Sequence, residues 1–455
     1  MRIRTASTGP SQRVLMVVPY ANWAGTERHV LTLGAELKAR GWDVTVLGPP
    51  GPAQEWWHEA GLKVIEFAPQ VAGVRRMVSS LRQQAIAWAS IVRNSDGESR
   101  RAGVIHVHGA PELLFLLQHL RRTTGFVFTS HGFAGHNVSW DYWWAAQAGR
   151  RWTDRVIAVS QEEANRLIQR GLPASRIQVI RNGIPIPADP AFTTSPPEHG
   201  SCGSSYDCAR ATQTAGACSK GAGPFSAGSF STGTVAAGTF SIGFVGRLSP
   251  QKGLEYLLKA LPLTMDRLQQ RYANLSRLLP NQIPTETPAS TVGRPPLIKL
   301  WVVGDGPEKE RLTQMASETT AAREGLAVEF VGAAADVSPW WRCFDIVVLP
   351  SLAESFGLVI GEAMATGVPV IASRLPAVEE FVVDGETGLL VPAGDASALA
   401  SALVRLIENS ELRQQLAGQA WRYARDHLSA TRMAALTESV YRELLSPGQH
   451  PKGRP

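Results

Sequence analysis

FDIVVLPSLAESFGLVIGEAMATGVPVIAS, residues 344–373, decides the fold. Residues 346–349 form a short apolar, β-branched run that suits a buried parallel strand, and Pro350 ends it before a turn. A helix is expected next, with Ser355 as its cap, residues 356–365 as its apolar face and Gly367 as its stop. Residues 369–372 supply the following buried strand, so the unit reads β-turn-α-β. Its helix opens at the carboxyl end of a strand, where unpaired N–H groups and the positive end of the helix dipole converge. In an open α/β sheet that is where phosphates and nucleotides bind.

Two carboxylates punctuate the unit: Glu354 in the turn and Glu362 inside the helix. Two glutamates eight positions apart are, by themselves, ordinary solvated surface. Here they are embedded between a strand with a Pro-Ser turn and a Gly-Val-Pro-Val return, which places Glu354 at the helix mouth and Glu362 deeper in. One is positioned for a sugar while the other meets the ribose of the same nucleotide.

PSLAESFGLVIGEAMATGVPVIAS resembles the E-x7-E signature of the retaining glycosyltransferases of family four, and the likeness covers most of the chain outside two inserts and both tails. The resemblance implies the α/β GT-B architecture of two facing Rossmann-like domains with parallel sheets and a cleft between them. It also implies transfer of a hexosyl unit from a nucleotide sugar to an acceptor hydroxyl with retention, in polysaccharide, glycolipid or related synthesis. Other segments carry it further. GRLSPQKG matches the family's G-R-x4-K pattern, so Arg247 and Lys252 flank one helix mouth, where two cations hold a leaving diphosphate. Ser249 is the expected cap there. Gly304-Asp305-Gly306-Pro307 resembles the family's G-D-G-P loop beside the nucleotide, and Ser130-His131-Gly132 resembles a T-x-H-G context that brings His131 to the donor-sugar and acceptor side. His106 and His108 are weaker cleft candidates. Glu354 is expected to hold donor-sugar hydroxyls, Glu362 the ribose diol, and Ser355, Phe356, Gly357 and Leu358 the diphosphate through their backbone. Asn182-Gly183 resembles the end of the family's first domain.

Working outward, residues 13–19 read as the first strand, 26–40 as an amphipathic helix and 43–47 as the second strand. Gly25, at that helix start, lets backbone amides approach a ligand. Further strands are expected at residues 104–107, 126–129, 156–159, 177–180, 240–245, 297–303, 328–331 and 388–392, with helix over 161–170 and 412–445. The resulting domains are a tail at 1–12, an acceptor domain at 13–187, a linker at 188–239 and a donor-nucleotide domain at 240–430. A helix at 431–446 crosses back onto the first domain, and 447–455 is a tail. Residues 193–239 hold 31 Gly, Ser, Thr or Ala among 47, too little apolar surface to offset chain entropy, so this stretch is expected to stay disordered. A second, proline-rich insert is expected near 269–296.

Composition narrows the classes. At 455 residues with 44% hydrophobic content, two ordinary cores are affordable. No apolar run spans a bilayer, and residues 14–18 are too short for a signal-peptide core, so the expected location is cytoplasmic. The four cysteines match no zinc spacing and read as free thiols. A nicotinamide dehydrogenase needs a G-x-G-x-x-G turn that is absent. Residues 1–190 hold 22 Lys+Arg against 14 Asp+Glu, a balance of +8, while the remainder balances at −2. No nucleic-acid motif accompanies this charge, which points instead to an anionic membrane surface at the inner face or a phosphorylated, lipid-linked acceptor. The arginine-bearing stretch 74–93 and the aromatic cluster Trp140, Tyr142, Trp143, Trp144 and Trp152 fit membrane contact, and equally fit ordinary packing. No D-x-D metal motif is present; two cations replace magnesium at the diphosphate, and no metal or cofactor besides the nucleotide-sugar co-substrate is expected. The competing reading is a catalytically silent sugar- or nucleotide-binding protein of the same fold.

Overall fold

The computed structural model describes residues 12–22, 24–67, 74–96, 103–122, 124–132, 138–187, 239–278, 295–321, 323–334 and 336–446. The chain divides into two compact units, Met1–Pro185 with His427–Pro455, and Ile186–Asp426.

The first unit is built on β1 (Arg13–Val17), β2 (Asp43–Gly48), β3 (Lys63–Glu66), β4 (Val104–His108), β5 (Gly125–Ser130), β6 (Arg155–Ala158) and β7 (Ile177–Val179). They lie in the order β3-β2-β1-β4-β5-β6-β7, every pair parallel. Both faces of such a sheet must be covered, which is why its strands read as continuous apolar runs. Leu15, Val17, Ile105, Val107, Phe126 and Phe128 point to one core. Val14, Met16, Val104 and Val127 point to the other, against Val30, Leu33 and Leu37 of the helix Gly25–Ala39. Side chains alternate along a strand, so His106 and His108 share the face of Val104 and look toward that helix.

The helix Ala430–Leu445 belongs to this unit, adding Met433, Ala434, Val440 and Tyr441 to the same core. Trp42 Nε1 donates to Glu438 Oε1 at 3.2 Å, and Arg40 pairs with the other oxygen at 3.3 Å. The single helix expected over 412–445 is in fact two, Ser410–His427 and Ala430–Leu445. The break falls at Ser429, whose side chain accepts from Arg432 N, and whose neighbours exchange backbone bonds with Ile184.

The second unit carries β8 (Thr239–Val245), β9 (Leu297–Val303), β10 (Leu326–Gly332), β11 (Ile346–Leu349), β12 (Val370–Ser373) and β13 (Leu389–Val391) in the order β10-β9-β8-β11-β12-β13. This sheet is also parallel throughout. Its core packs Ile242, Phe244, Leu300, Val302, Ile346 and Val348 against the helices Leu254–Leu278 and Ala396–Glu408. Both units are therefore Rossmann-like, the two-domain α/β class expected for GT-B.

Several expectations are corrected. The helix after β11 begins at Leu358 and is capped by Gly357 in the left-handed region, φ +88, not by Ser355. Phe356 turns inward to stack on Phe381 with centroids 4.9 Å apart, and that inward turn delays the helix start. The insert expected near 269–296 reads as partly helical at its start, and residues 269–278 are the end of the helix Leu254–Leu278. Cys343, read as a free thiol, is disulfide-bonded. The expected tails and inserts at 1–11, 193–238, 279–294 and 447–455 lie outside the described residues. Among the described residues, no helix is long and apolar enough to cross a membrane.

Candidate active site

In the second unit the strand order reverses between β8 and β11, so the loops leaving these two strands diverge and open a crevice at their carboxyl ends. Three loops are tied together there. The loop after β8 makes a 3-10 turn, Pro250–Lys252, that ends at Gly253 in the left-handed region, φ +65. Gly253 sits so close to the end of β11 that a Cβ would overlap the Pro350 carbonyl oxygen. Leu352 N donates to Gln251 O at 2.7 Å, and Gln251 Nε2 donates to Ala353 O at 3.0 Å, zipping the turn to the β11 loop. On the other side Leu248 N donates to Asp305 O at 2.9 Å and Glu308 N donates to Leu248 O at 3.0 Å, fixing the loop after β9.

This framework brings Lys252 and Glu354 into contact across the switch point, Nζ to Oε1 at 2.6 Å. Ser351 Oγ donates to the same oxygen at 2.8 Å. The Glu354 side chain is only 7% exposed, so its charge is held by these two donors, and Oε2 keeps no partner among the described residues. Arg247 is exposed at the same loop with no partner among the described residues. Gly357 and Leu358 open the helix Leu358–Thr366, whose first two N–H groups precede any intrahelical acceptor, whereas Ile360 N already donates to Gly357 O at 2.9 Å. Glu362 lies on this helix, half-buried, one turn in.

Asp305 has a different occupation from the one expected. Its Oδ1 accepts from Gly306 N at 2.7 Å and its Oδ2 pairs with Lys309 at 2.9 Å. Burial pushes its acidity down, but the Lys309 and Gly306 bonds outweigh it and hold the carboxyl below its ordinary range. Asp305 thus folds the Gly304–Gly306 loop, whose backbone is largely spent on holding its shape: Gly304 N donates to Gly332 O at 2.8 Å and Gly306 O accepts from Lys309 N at 3.2 Å. Ser249 occupies the cap position of the 3-10 turn but makes no side-chain capping bond.

The two remaining candidates, Gly25 and His131, stand on the first unit. Gly25 is the exposed first residue of the helix after β1. His131 follows β5 and belongs to a cluster that sequence reading caught only in part. His108 Nδ1 lies 3.3 Å from His131 Nε2, and His29 packs edge-on against His131 with centroids 4.7 Å apart. The His106 ring lies tilted against His108 with centroids 4.0 Å apart, but both of its nitrogens are engaged, with Tyr441 Oη at 2.5 Å and Thr129 Oγ1 at 2.6 Å. Burial keeps all four imidazoles neutral: His29 falls to about 4, and the other three lie well below the ordinary range, pushed further by neighbouring histidines. Two residues here escaped the sequence. His29 faces inward from the second turn of its helix, and Glu27, buried two residues earlier, is pushed up to about 7 by that burial. Their signal lay in topology alone, since the β1–β4 reversal sets this helix over the end of β4.

Comparison with known proteins agrees with this architecture. Residues 23–186 match the family model described as Glycosyltransferase Family 4, and residues 288–409 match the one described as Glycosyl transferases group 1. A phosphatidyl-myo-inositol mannosyltransferase of Mycobacterium leprae is 28% identical over 417 residues, 89% of each chain. A D-inositol 3-phosphate glycosyltransferase of a Nocardioides species is 37% identical over 205 residues, 44% of this chain and 40% of that one. Among solved structures, Anabaena HepE in complex with UDP-glucose superposes with a TM-score of 0.67 at 20% identity, over 95% of this chain and 99% of that one. Taken with the two parallel Rossmann-like sheets and the E-x7-E unit after β11, these matches show that the chain belongs to the family-four, group 1 glycosyltransferases of GT-B fold.

Proposed function

We propose that this glycosyltransferase moves a hexosyl unit from a nucleotide sugar to an acceptor hydroxyl with retention at the anomeric carbon. The observation that carries the reading is the Lys252–Glu354 pair spanning the β8/β11 switch point beside an Arg247 with no partner among the described residues. As the bond from the anomeric carbon to the diphosphate breaks, its electron pair moves onto phosphate oxygen. Arg247, Lys252 and the first amides of the Leu358–Thr366 helix stabilise that charge. Glu354 Oε2 accepts from donor-sugar hydroxyls, while Lys252 and Ser351 hold Oε1 in place. Glu362 takes the ribose diol, and the backbone of Gly304–Gly306 lies beside the nucleotide. The acceptor oxygen attacks on the face the diphosphate leaves, and its proton passes to the departing phosphate, so no metal is needed at this step. Gly25 and His131 serve the donor sugar and acceptor from the first unit.

The relatives that act on phosphatidyl-myo-inositol and inositol phosphate support an acceptor that is lipid-linked or phosphorylated. Membrane docking through the basic first unit fits this acceptor. Trp140 and Trp143, 58% and 41% exposed and stacked at 4.8 Å, give it an interfacial aromatic pair. Arg76 is exposed on the helix Val74–Asp96, whereas Arg82 donates to Leu116 O at 3.2 Å and is partly committed to packing. Flotation with anionic and neutral liposomes at low and high salt tests docking: anionic-selective, salt-sensitive recovery is expected, and equal recovery on both lipids contradicts it.

The donor is tested by thermal shift across UDP, GDP and ADP sugars. A ligand at 100 times its Kd adds about 2.7 kcal/mol to the folded state, enough to raise the transition by several degrees. No shift with any of the three nucleotide classes would remove the nucleotide-sugar reading.

A further inference from the structure

We propose that His29, His108 and His131 form a binding site for one divalent transition-metal ion of the zinc, cobalt and nickel class. One ring nitrogen from each of the three lies within 4.8 Å of the others. Two nitrogens bound to one zinc ion at its usual 2.0–2.1 Å stand about 3.3 Å apart across a tetrahedral edge. The His108 Nδ1 to His131 Nε2 separation is 3.3 Å, so two ligands already stand at that spacing. The third closes by at most about 1.5 Å, within the reach of a small ring rotation. Imidazole nitrogens favour this class of ion over magnesium or calcium, which take oxygen ligands.

Interior polar balance points the same way. Both His29 nitrogens and His108 Nε2 are buried without a hydrogen-bond partner. A simple N–H···N bond between His108 and His131 still leaves one His29 nitrogen buried without a partner when Asn182 takes the other; an ion satisfies that nitrogen directly. Asn182 Oδ1, also buried and unpartnered, neighbours the His29 ring and is placed to accept from its second nitrogen, as outer-shell carbonyls do for metal-bound histidines. His106 is excluded because Tyr441 and Thr129 use both its nitrogens. His131 is partly buried, the least enclosed of the three, and gives the ion its approach and an open fourth position. All three ligands stand on the first unit, and the site's existence does not depend on the transferase reading.

Titration of the tag-free, chelator-stripped full chain with Co2+, followed by visible absorption, tests the proposal, with Zn2+ competition as a second readout. One equivalent of Co2+ is expected to bind with the intense bands of a four-coordinate ion and to be displaced by Zn2+. His29→Ala and His131→Ala, each checked for folding by circular dichroism, are expected to lose affinity by more than the roughly 10–100-fold that removing an outer-shell partner costs. His131 follows β5 in a loop and is less enclosed than His29, so its variant keeps the test readable if His29→Ala does not fold. Absence of stoichiometric Co2+ bands in the wild type, or bands of unchanged affinity in a folded variant, overturns the assignment.

Discussion

Replacing Lys252 by Ala separates two roles that the geometry assigns to one side chain. In the proposed reaction Lys252 stabilises charge on the leaving diphosphate, and deletion of one such donor costs about 10² to 10³ in turnover, or about 2.7–4 kcal/mol of transition-state stabilisation. In the folded protein it also neutralises Glu354, 2.6 Å away and nearly buried. Breaking a fully buried pair costs about 3–5 kcal/mol, and an exposed one at most about 1. Lys252 is 25% exposed, which places the stability loss between these limits, at about 1–3 kcal/mol. The double variant Lys252→Ala/Glu354→Gln removes the stranded charge while Ser351 still has an acceptor. It is therefore expected to regain most of the stability and none of the turnover. The assay pairs urea unfolding with transfer of radiolabelled sugar under single-donor conditions. Turnover of folded Lys252→Ala within threefold of wild type refutes the leaving-group role; equal stability loss in the single and double variants refutes the ion-pair argument.

Three further predictions use independent features. Gly253→Ala places a side chain in a left-handed residue and against the Pro350 carbonyl, so a loss of about 2 kcal/mol or more is expected in urea unfolding, and a change under 0.5 counts against the close approach. Glu163 is raised above its ordinary 4.5 by burial, despite hydrogen bonds from Ser130 and Tyr142. The folded state then holds a proton that the unfolded state has released, so Glu163's contribution is complete below 4.5 and lost as pH rises through its folded value. Glu163→Gln is expected to flatten the stability curve across that window, and an unchanged slope in guanidinium titrations at several pH values rejects the idea. Arg247→Ala is expected to weaken binding of the cognate nucleoside diphosphate by about tenfold or more, since a charge-assisted bond contributes roughly 1.5–3 kcal/mol, and unchanged affinity by calorimetry removes Arg247 from the site.

Much of this was legible because the deciding residues are local. Ile346–Leu349 is a continuous apolar run ended by Pro350, Leu297–Val303 is apolar but for Lys299 and ended by Gly304, and both form strands at the expected residues. What was hidden depends on tertiary contact. β3, Lys63–Glu66, is an edge strand with both ends exposed, so its KVIE pattern carries little hydrophobic signal. Ser355 looks like a cap until Phe356 is seen to turn inward onto Phe381, which moves the helix start to Gly357 and Leu358. Ser429 breaks a helical pattern that runs through it because Ile184 offers backbone partners to its neighbours. At the site, Arg247, Lys252 and Glu354 were readable as motifs, but the direct Lys252–Glu354 contact spans 102 positions and follows only from β8 lying beside β11. His29 was invisible for the same reason, since only the packing of its helix over β4 brings it to His108 and His131.

The central claim is retaining transfer from a nucleotide sugar, and proton NMR of the reaction measures it most directly. With the donor selected by thermal shift and a polyol or lipid-linked acceptor, the product is expected to carry the sugar in the same anomeric configuration as the donor, with one nucleoside diphosphate released per linkage, and without added divalent metal. An inverted product contradicts retention, and a donor that binds but is never transferred to any acceptor identifies the chain as a silent binding protein of the same fold.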